Sequence, residues 1–215
     1  MIVSILLVFL IISACKKDET EDNTSVPVNL LGNATVQEHL DSGLSILEIL
    51  EDFPADSIIG KTYGGGILFY VNPSDGSALI VSMSDQSIAA EWGCEGTIIF
   101  GADSLSLGSG MYNSTDIDSG CSQPGIAANI CEFYTSTTYI DWYLPNKTEL
   151  TEMFYSIGPA AFGDNNNLGN FAFDNYWSSN DFDSDQAWVV SFNSGVAEFK
   201  LKSETARVRA IRAIN

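Results

Sequence analysis

Residues 65–83 read GGILFYVNPSDGSALIVSM, two short apolar runs on either side of Asn72-Pro73-Ser74-Asp75-Gly76. Each kind of residue in that centre favours a turn for its own reason: Pro presets φ, Asn, Asp and Ser side chains bond nearby backbone, and Gly tolerates positive φ. The two runs are therefore expected to pair as a β-hairpin. Gly64 to Gly66 open a strand and not a helix, so the triple glycine is a poor phosphate loop.

Downstream, residues 91–123 are rich in Gly, Ser and Asp without clear periodicity and read as a long loop region. A helix is expected over residues 124–135. In DWYLPNKTEL, residues 141–150, a strand end meets a proline stop, and Asn146 with Glu149 three residues on forms a capping box that opens a second helix, ending near Ser156. Three strands follow: one into Trp177, then AWVVSF (187–192) and VAEFKLK (196–202), the last two joined by a turn at Asn193-Ser194-Gly195. The stretch ARVRAIRAI, 206–214, reads as one last strand that pairs back on the first hairpin, with Arg209 and Arg212 neutralising buried carboxylates such as Asp141. Upstream, TVQEHLDSGL and SILEILEDFP each carry a capping box, Thr35 with Glu38 and Ser45 with Glu48, and predict two short helices that need a body to dock on. The elements are segregated, not alternating, so the fold class is α+β: two helices, a small mostly antiparallel sheet and long loops, preceded by the short helical pair.

The chain has 215 residues, 45% hydrophobic, which is enough for a substantial core. Its formal charge of −19, from 28 acidic and 9 basic residues, makes nucleic acid and anionic lipid headgroups poor partners. The first 14 residues form an apolar segment with a small-residue end, shorter than the roughly 20 residues of a membrane span, and read as an export signal. Ile12-Ser13-Ala14-Cys15 resembles a bacterial lipobox, which makes Cys15 the lipidated residue and the acyl chains the only membrane contact. Residues 15–32, acidic and polar, read as a flexible tether similar to those of Bacteroidetes-type lipoproteins exposed outside the outer membrane. The remaining divisions are 33–56, the helical pair, and 57–215, the main domain. Cys94, Cys121 and Cys131 remain for an oxidising compartment. Cys131 lies at helical spacing with Ile126, Ile130 and Tyr134 and reads as a core thiol, which favours a Cys94–Cys121 bridge while the other pairings stay open. No C-x-x-C pair is present and the single histidine, His39, is far upstream, so a zinc site is not expected.

Taken together, GKTYGGGILFYV, EWGCEGT, DWYLPNKTEL, YWSSNDFDSDQAW and VRAIRAI resemble the Lcl C-terminal family over residues 57–215. The resemblance implies an exported domain of C-type-lectin-like architecture and, in the best-described case, an adhesin for sulfated glycans. With nine basic residues in all, a sulfated partner is not expected here. The EPN or QPD and WND triplets of calcium-dependent lectins are also missing.

The candidate ligand residues are Trp92, Tyr112 and Trp142, aromatics beside loop glycines or at a strand end, on which an apolar sugar face could stack. Trp177 and Trp188 alternate with polar neighbours and read as core. Asn180, Asp181, Asp183 and Asp185 are candidates for sugar hydroxyls and, more weakly, for calcium. As an EF-hand they fail, because Gln186 and Phe192 stand where Gly and Glu are required; a solvated hairpin tip is the plainer reading. No cofactor is otherwise expected. No nucleophile has a positioned histidine base in the main domain, so catalysis is not expected. The sequence therefore points to a surface binding module for a glycan or a surface protein. An assembly component acting through the helical pair is the alternative, and a carboxylate-based glycoside hydrolase comes third.

Overall fold

In the computed structural model, residues 33–136 and 138–214 are described. The expected leader and tether, residues 1–32 with Cys15, lie outside the described residues.

Helices α1 (Val36–Asp41) and α2 (Ile46–Ile49) each begin at the expected capping box, Thr35 with Glu38 and Ser45 with Glu48. Val36, Leu40, Ile46 and Ile49 are buried in the same apolar cluster as Ile58, Leu68 and Trp177. Gln37 fastens α1 further, its amide donating to Thr62 O and accepting from Thr62 N, both at 3.0 Å.

Strands β1 (Thr62–Tyr63), β2 (Gly66–Val71) and β3 (Ala78–Ser82) follow, and β2 and β3 form the expected hairpin. Asn72 Oδ1 accepts from Ser74 N, Asp75 Oδ1 accepts from Ser77 N, and Gly76 takes φ +73°, so the turn residues act as their chemistry predicts. Gly66 has a separate reason: a Cβ there would collide with the carbonyl of Val81 on the paired strand. Because residues alternate across a strand, Ile67, Phe69, Leu79 and Val81 face one apolar cluster while Leu68, Ala78 and Ile80 face another.

Strand β4 (Ser87–Glu91) leads into the segment expected to be loop, which instead contains α3 (Gly110–Gly120). Its sequence, GMYNSTDIDSG, has poor helix formers and only Ile117 as a buried apolar side chain, so neither propensity nor periodicity marks it. Tertiary packing holds it: Asn113 exchanges hydrogen bonds with the backbone of Ser104, and Cys121 at its end is bonded to Cys94. Helices α4 (Ala127–Glu132) and α5 (Lys147–Ser156) correspond to the two expected helices, and Asn146 and Glu149 close the capping box of α5.

The chain closes with β5 (Asn175–Asp181), β6 (Gln186–Ser191), β7 (Ala197–Leu201), β8 (Thr205–Val208) and β9 (Ile211–Ile214). Among the described residues there are two sheets, ordered β1-β2-β3-β9 and β4-β8-β5-β6-β7, mostly antiparallel. The fold is α+β. The terminal stretch is thus two strands and not one: β9 pairs with β3 as expected, but β8 joins the other sheet. Buried Arg209 sits at the break, its Nε 2.7 Å from Asp85 Oδ1 and its Nη1 donating to Ser82 O and Gly169 O, so the loops around the break are held by one cation. Asp141 pairs with Arg212 in a bidentate contact at 2.7 and 2.8 Å as expected, but it is exposed and not a buried carboxylate, and the partner of Arg209 is Asp85.

Candidate functional site: an aromatic patch on the sheet edge

Two of the three expected aromatic platforms are buried. Trp92 is 1% exposed, with its Nε1 donating to Ser178 O at 2.8 Å and the Lys202 ammonium 4.7 Å from its ring centroid. Trp142 is 3% exposed and packs edge-on against Tyr134, with Nε1 donating to Tyr139 O. Neither can receive a sugar, because each indole is already covered and hydrogen-bonded. Tyr112, on α3, is 64% exposed.

The acidic hairpin divides its carboxylates among different tasks. Asp181 turns inward: Oδ1 lies 2.8 Å from Lys202 Nζ, and Oδ2 accepts from Ile99 N at 2.6 Å. Lys202, fully buried, also donates to Thr97 O, so this ion pair ties the loop after β4 to the β5–β6 hairpin. Asp183 Oδ1 accepts from Asp185 N and Gln186 N and builds the turn, while Asp185 is exposed at its tip. Asn180 is buried, with Nδ2 donating to Ser104 O and Oδ1 accepting from Lys147 N at 2.8 Å. Asn180 and Asp181 are therefore scaffold, not ligand contacts. The three aspartates do not converge, and among the described residues no group of three or more His, Cys, Asp or Glu side chains is placed to hold a metal.

What these scaffold residues position is an aromatic patch around Trp188, which the sequence pattern places in the core. With Asp181 turned in, the next residue, Phe182, points out and is 47% exposed. Trp188 on β6 and Phe199 on β7 are register partners, so they share a sheet face with centroids 4.1 Å apart. Phe182 stacks on Phe199 at 3.9 Å and meets Trp188 edge-on at 5.6 Å. Phe199 is 46% exposed, and β7 is the outer strand of its sheet. Further along the same face Val190 is buried with Leu150, Met153 and Phe154 of α5. At Trp188 that cover is reduced to the first residue of α5, Lys147, whose Nζ lies 3.6 Å from the ring centroid. Burial lowers the Lys147 ammonium below its usual range. Trp188 alternates with Val190, which is why the pattern reads as core; the capping box at Asn146 marks where α5 starts, but not which sheet residues the helix covers.

Burial pushes Glu149 up to about 7, against the pull of three backbone amides, those of Gly108, Gly110 and Asn146, that its oxygens accept from. It organises the loop before α3 and has no opening to solvent. The Cys131 thiol is buried and free, and desolvation raises it well above the usual thiol range, away from reactivity.

Residues 112–212 match the Lcl C-terminal domain family. The Lcl C-terminal domain is a surface-associated domain, and the matched stretch runs from α3 to β9, including Cys121, the acidic hairpin, Trp188 and Phe199. Residues 57–111 precede the match. No curated protein matches the chain.

Proposed function

We propose that the protein is a lipid-anchored binding module on the outer membrane, facing the cell exterior, that recognises a glycan or another extracellular ligand without catalysing a reaction. The observation that carries this reading is the patch of Phe182, Trp188 and Phe199, three touching aromatic rings held partly in solvent at the edge of a sheet. Exposed apolar surface costs solubility and is maintained where something docks. Aromatic faces suit the C–H face of a sugar ring, and Lys147 and Gln186 supply donors beside them for hydroxyl groups. The scaffold supports recognition over chemistry, because the Lys202–Asp181 pair, Asn180 and the Cys94–Cys121 bond fix the loops before any ligand arrives. The assembly reading draws less support, since the inner faces of α1 and α2 are already covered by the core.

A glycan array probed with the protein, with and without calcium, tests this. Binding is expected to be calcium-independent and to fall at least tenfold in Trp188→Ala, with Trp92→Phe unchanged. Hits that survive Trp188→Ala, or turnover of a bound glycan, would remove the reading.

A further inference from the structure

Among the described residues the strands at sheet edges are β1, β9, β4 and β7. Three of these offer little to a further strand: β1 is two residues long, β9 is bridged by Tyr143 at Ile211, and β4 carries a register shift between Ser87 and Ala90. Short, covered or irregular edges keep other chains from pairing. β7 is different, since Ala197 to Leu201 pair with β6 one for one without a shift. At the ends of that ladder Ser191 N donates to Val196 O and Lys202 N donates to Asp185 O. Bonded and non-bonded pairs alternate along an antiparallel ladder, so positions 196, 198, 200 and 202 spend their backbone groups on β6, and those of Ala197, Phe199 and Leu201 point away from it. Leu201 shows the direction: its N–H donates to Glu204 Oε2 at 3.3 Å and its carbonyl accepts from Glu204 N at 3.0 Å, in the turn beyond the strand. Phe199 and Leu201 are also exposed apolar side chains.

We propose that β7 pairs edge to edge with β7 of a second copy of this chain, antiparallel, about a two-fold axis at Phe199. The charges on the edge select this partner and this register. Glu198 and Lys200 flank Phe199 with opposite signs, so the axis sets each glutamate directly across from Lys200 of the second copy, twice over, as a self-complementary two-fold contact requires. Moving the axis to Glu198 or to Lys200 keeps the outward backbone groups matched but sets like charges face to face. In the chosen register the Phe199 residues of the two copies exchange backbone hydrogen bonds, and Ala197 meets Leu201 of the second copy. Single-sign charges on an edge repel every copy, whereas this alternating pair admits one. The net charge of −19 opposes approach at long range, and near physiological salt screening beyond about 8 Å confines that opposition to charges close to the seam. The contact leaves the face of the aromatic patch open and does not rest on the glycan reading.

Sedimentation velocity of the full chain in mild detergent, over a concentration series near physiological salt, reads the association. The parent is expected to pass from monomer to dimer and no further, because a two-fold edge contact closes at two. Glu198→Lys and Lys200→Glu each turn both cross-strand pairs into like charges and should weaken the dimer at least tenfold, with the fold retained by circular dichroism. Glu198→Lys combined with Lys200→Glu restores opposite charges and should restore the dimer. The two single variants mixed together should form a heterodimer that neither forms alone. A parent that stays monomeric, as an edge reserved for a foreign strand would leave it, overturns the proposal. So does growth beyond a dimer, parent-like association of the single variants, or a charge-swapped double variant that stays apart.

Discussion

Replacing Arg209 by methionine removes the cation that joins the two halves of the terminal stretch, and its cost can be worked from the contacts. Arg209 is buried, with Nε on Asp85, Nη1 on the Ser82 and Gly169 carbonyls, and its guanidinium 4.4 Å from the Phe171 ring centroid. Methionine fills much of the same volume and keeps an apolar contact with Phe171, so cavity terms are small. The two carbonyls lose their donor, and Asp85 loses one of two cations. Removing one partner of a buried pair costs roughly 3–5 kcal/mol. Asp85 keeps Arg207 Nη1 at 2.9 Å and the Tyr176 hydroxyl at 3.2 Å, which places the expectation at the lower end, about 3 kcal/mol. For a domain of this size each kcal/mol moves the midpoint by roughly 2–4 °C, so a fall of roughly 6–12 °C is expected in a circular-dichroism melt. Arg207→Met is the control, since Arg207 is more exposed and its loss leaves Asp85 on Arg209; about 1 kcal/mol is expected there. A melting temperature for Arg209→Met within about 2 °C of the parent, or indistinguishable from Arg207→Met, would refute the assignment of Arg209 as the tie between the sheets.

Reducing the Cys94–Cys121 bond, or replacing both cysteines by alanine, should lower stability by about 3.5 kcal/mol, because the bond closes a loop of separation 27; urea midpoints with and without reductant measure it. Glu149 gives a pH dependence of definite sign: with a folded value of about 7 against an ordinary 4.5, the native state holds the proton longer than the unfolded chain. Its contribution is complete below about pH 4.5 and is lost as pH rises towards 7, a span worth about 3 kcal/mol, and Glu149→Gln should flatten the urea-midpoint profile between those values.

Much of the local structure was legible because its causes lie within a few residues. The three capping boxes at Thr35, Ser45 and Asn146 each need only a side chain and a glutamate three positions on, and all three form. The turn at Asn72 to Gly76 closes by hydrogen bonds between near neighbours, and the hairpin it predicts is the centre of one sheet. The Cys94–Cys121 pairing followed from removing Cys131 on helical periodicity, again a local signal.

Exposure was not legible, because what covers a side chain comes from far along the chain. Trp92 is capped by Ser178 and Lys202 and Trp142 by Tyr134, whereas Trp188 stands where α5 begins, with Lys147 as the only residue of that helix shown over its ring. Helix α3 forms without a sequence signal because the hydrogen bonds of its own Asn113 to the Ser104 backbone and the disulfide at its end hold it, not propensity. Periods, caps and turns were thus written in the chain by itself; which face of an aromatic meets water, and which aspartate meets a lysine, was decided by long-range packing, since burial is a property of neighbours and not of residue type.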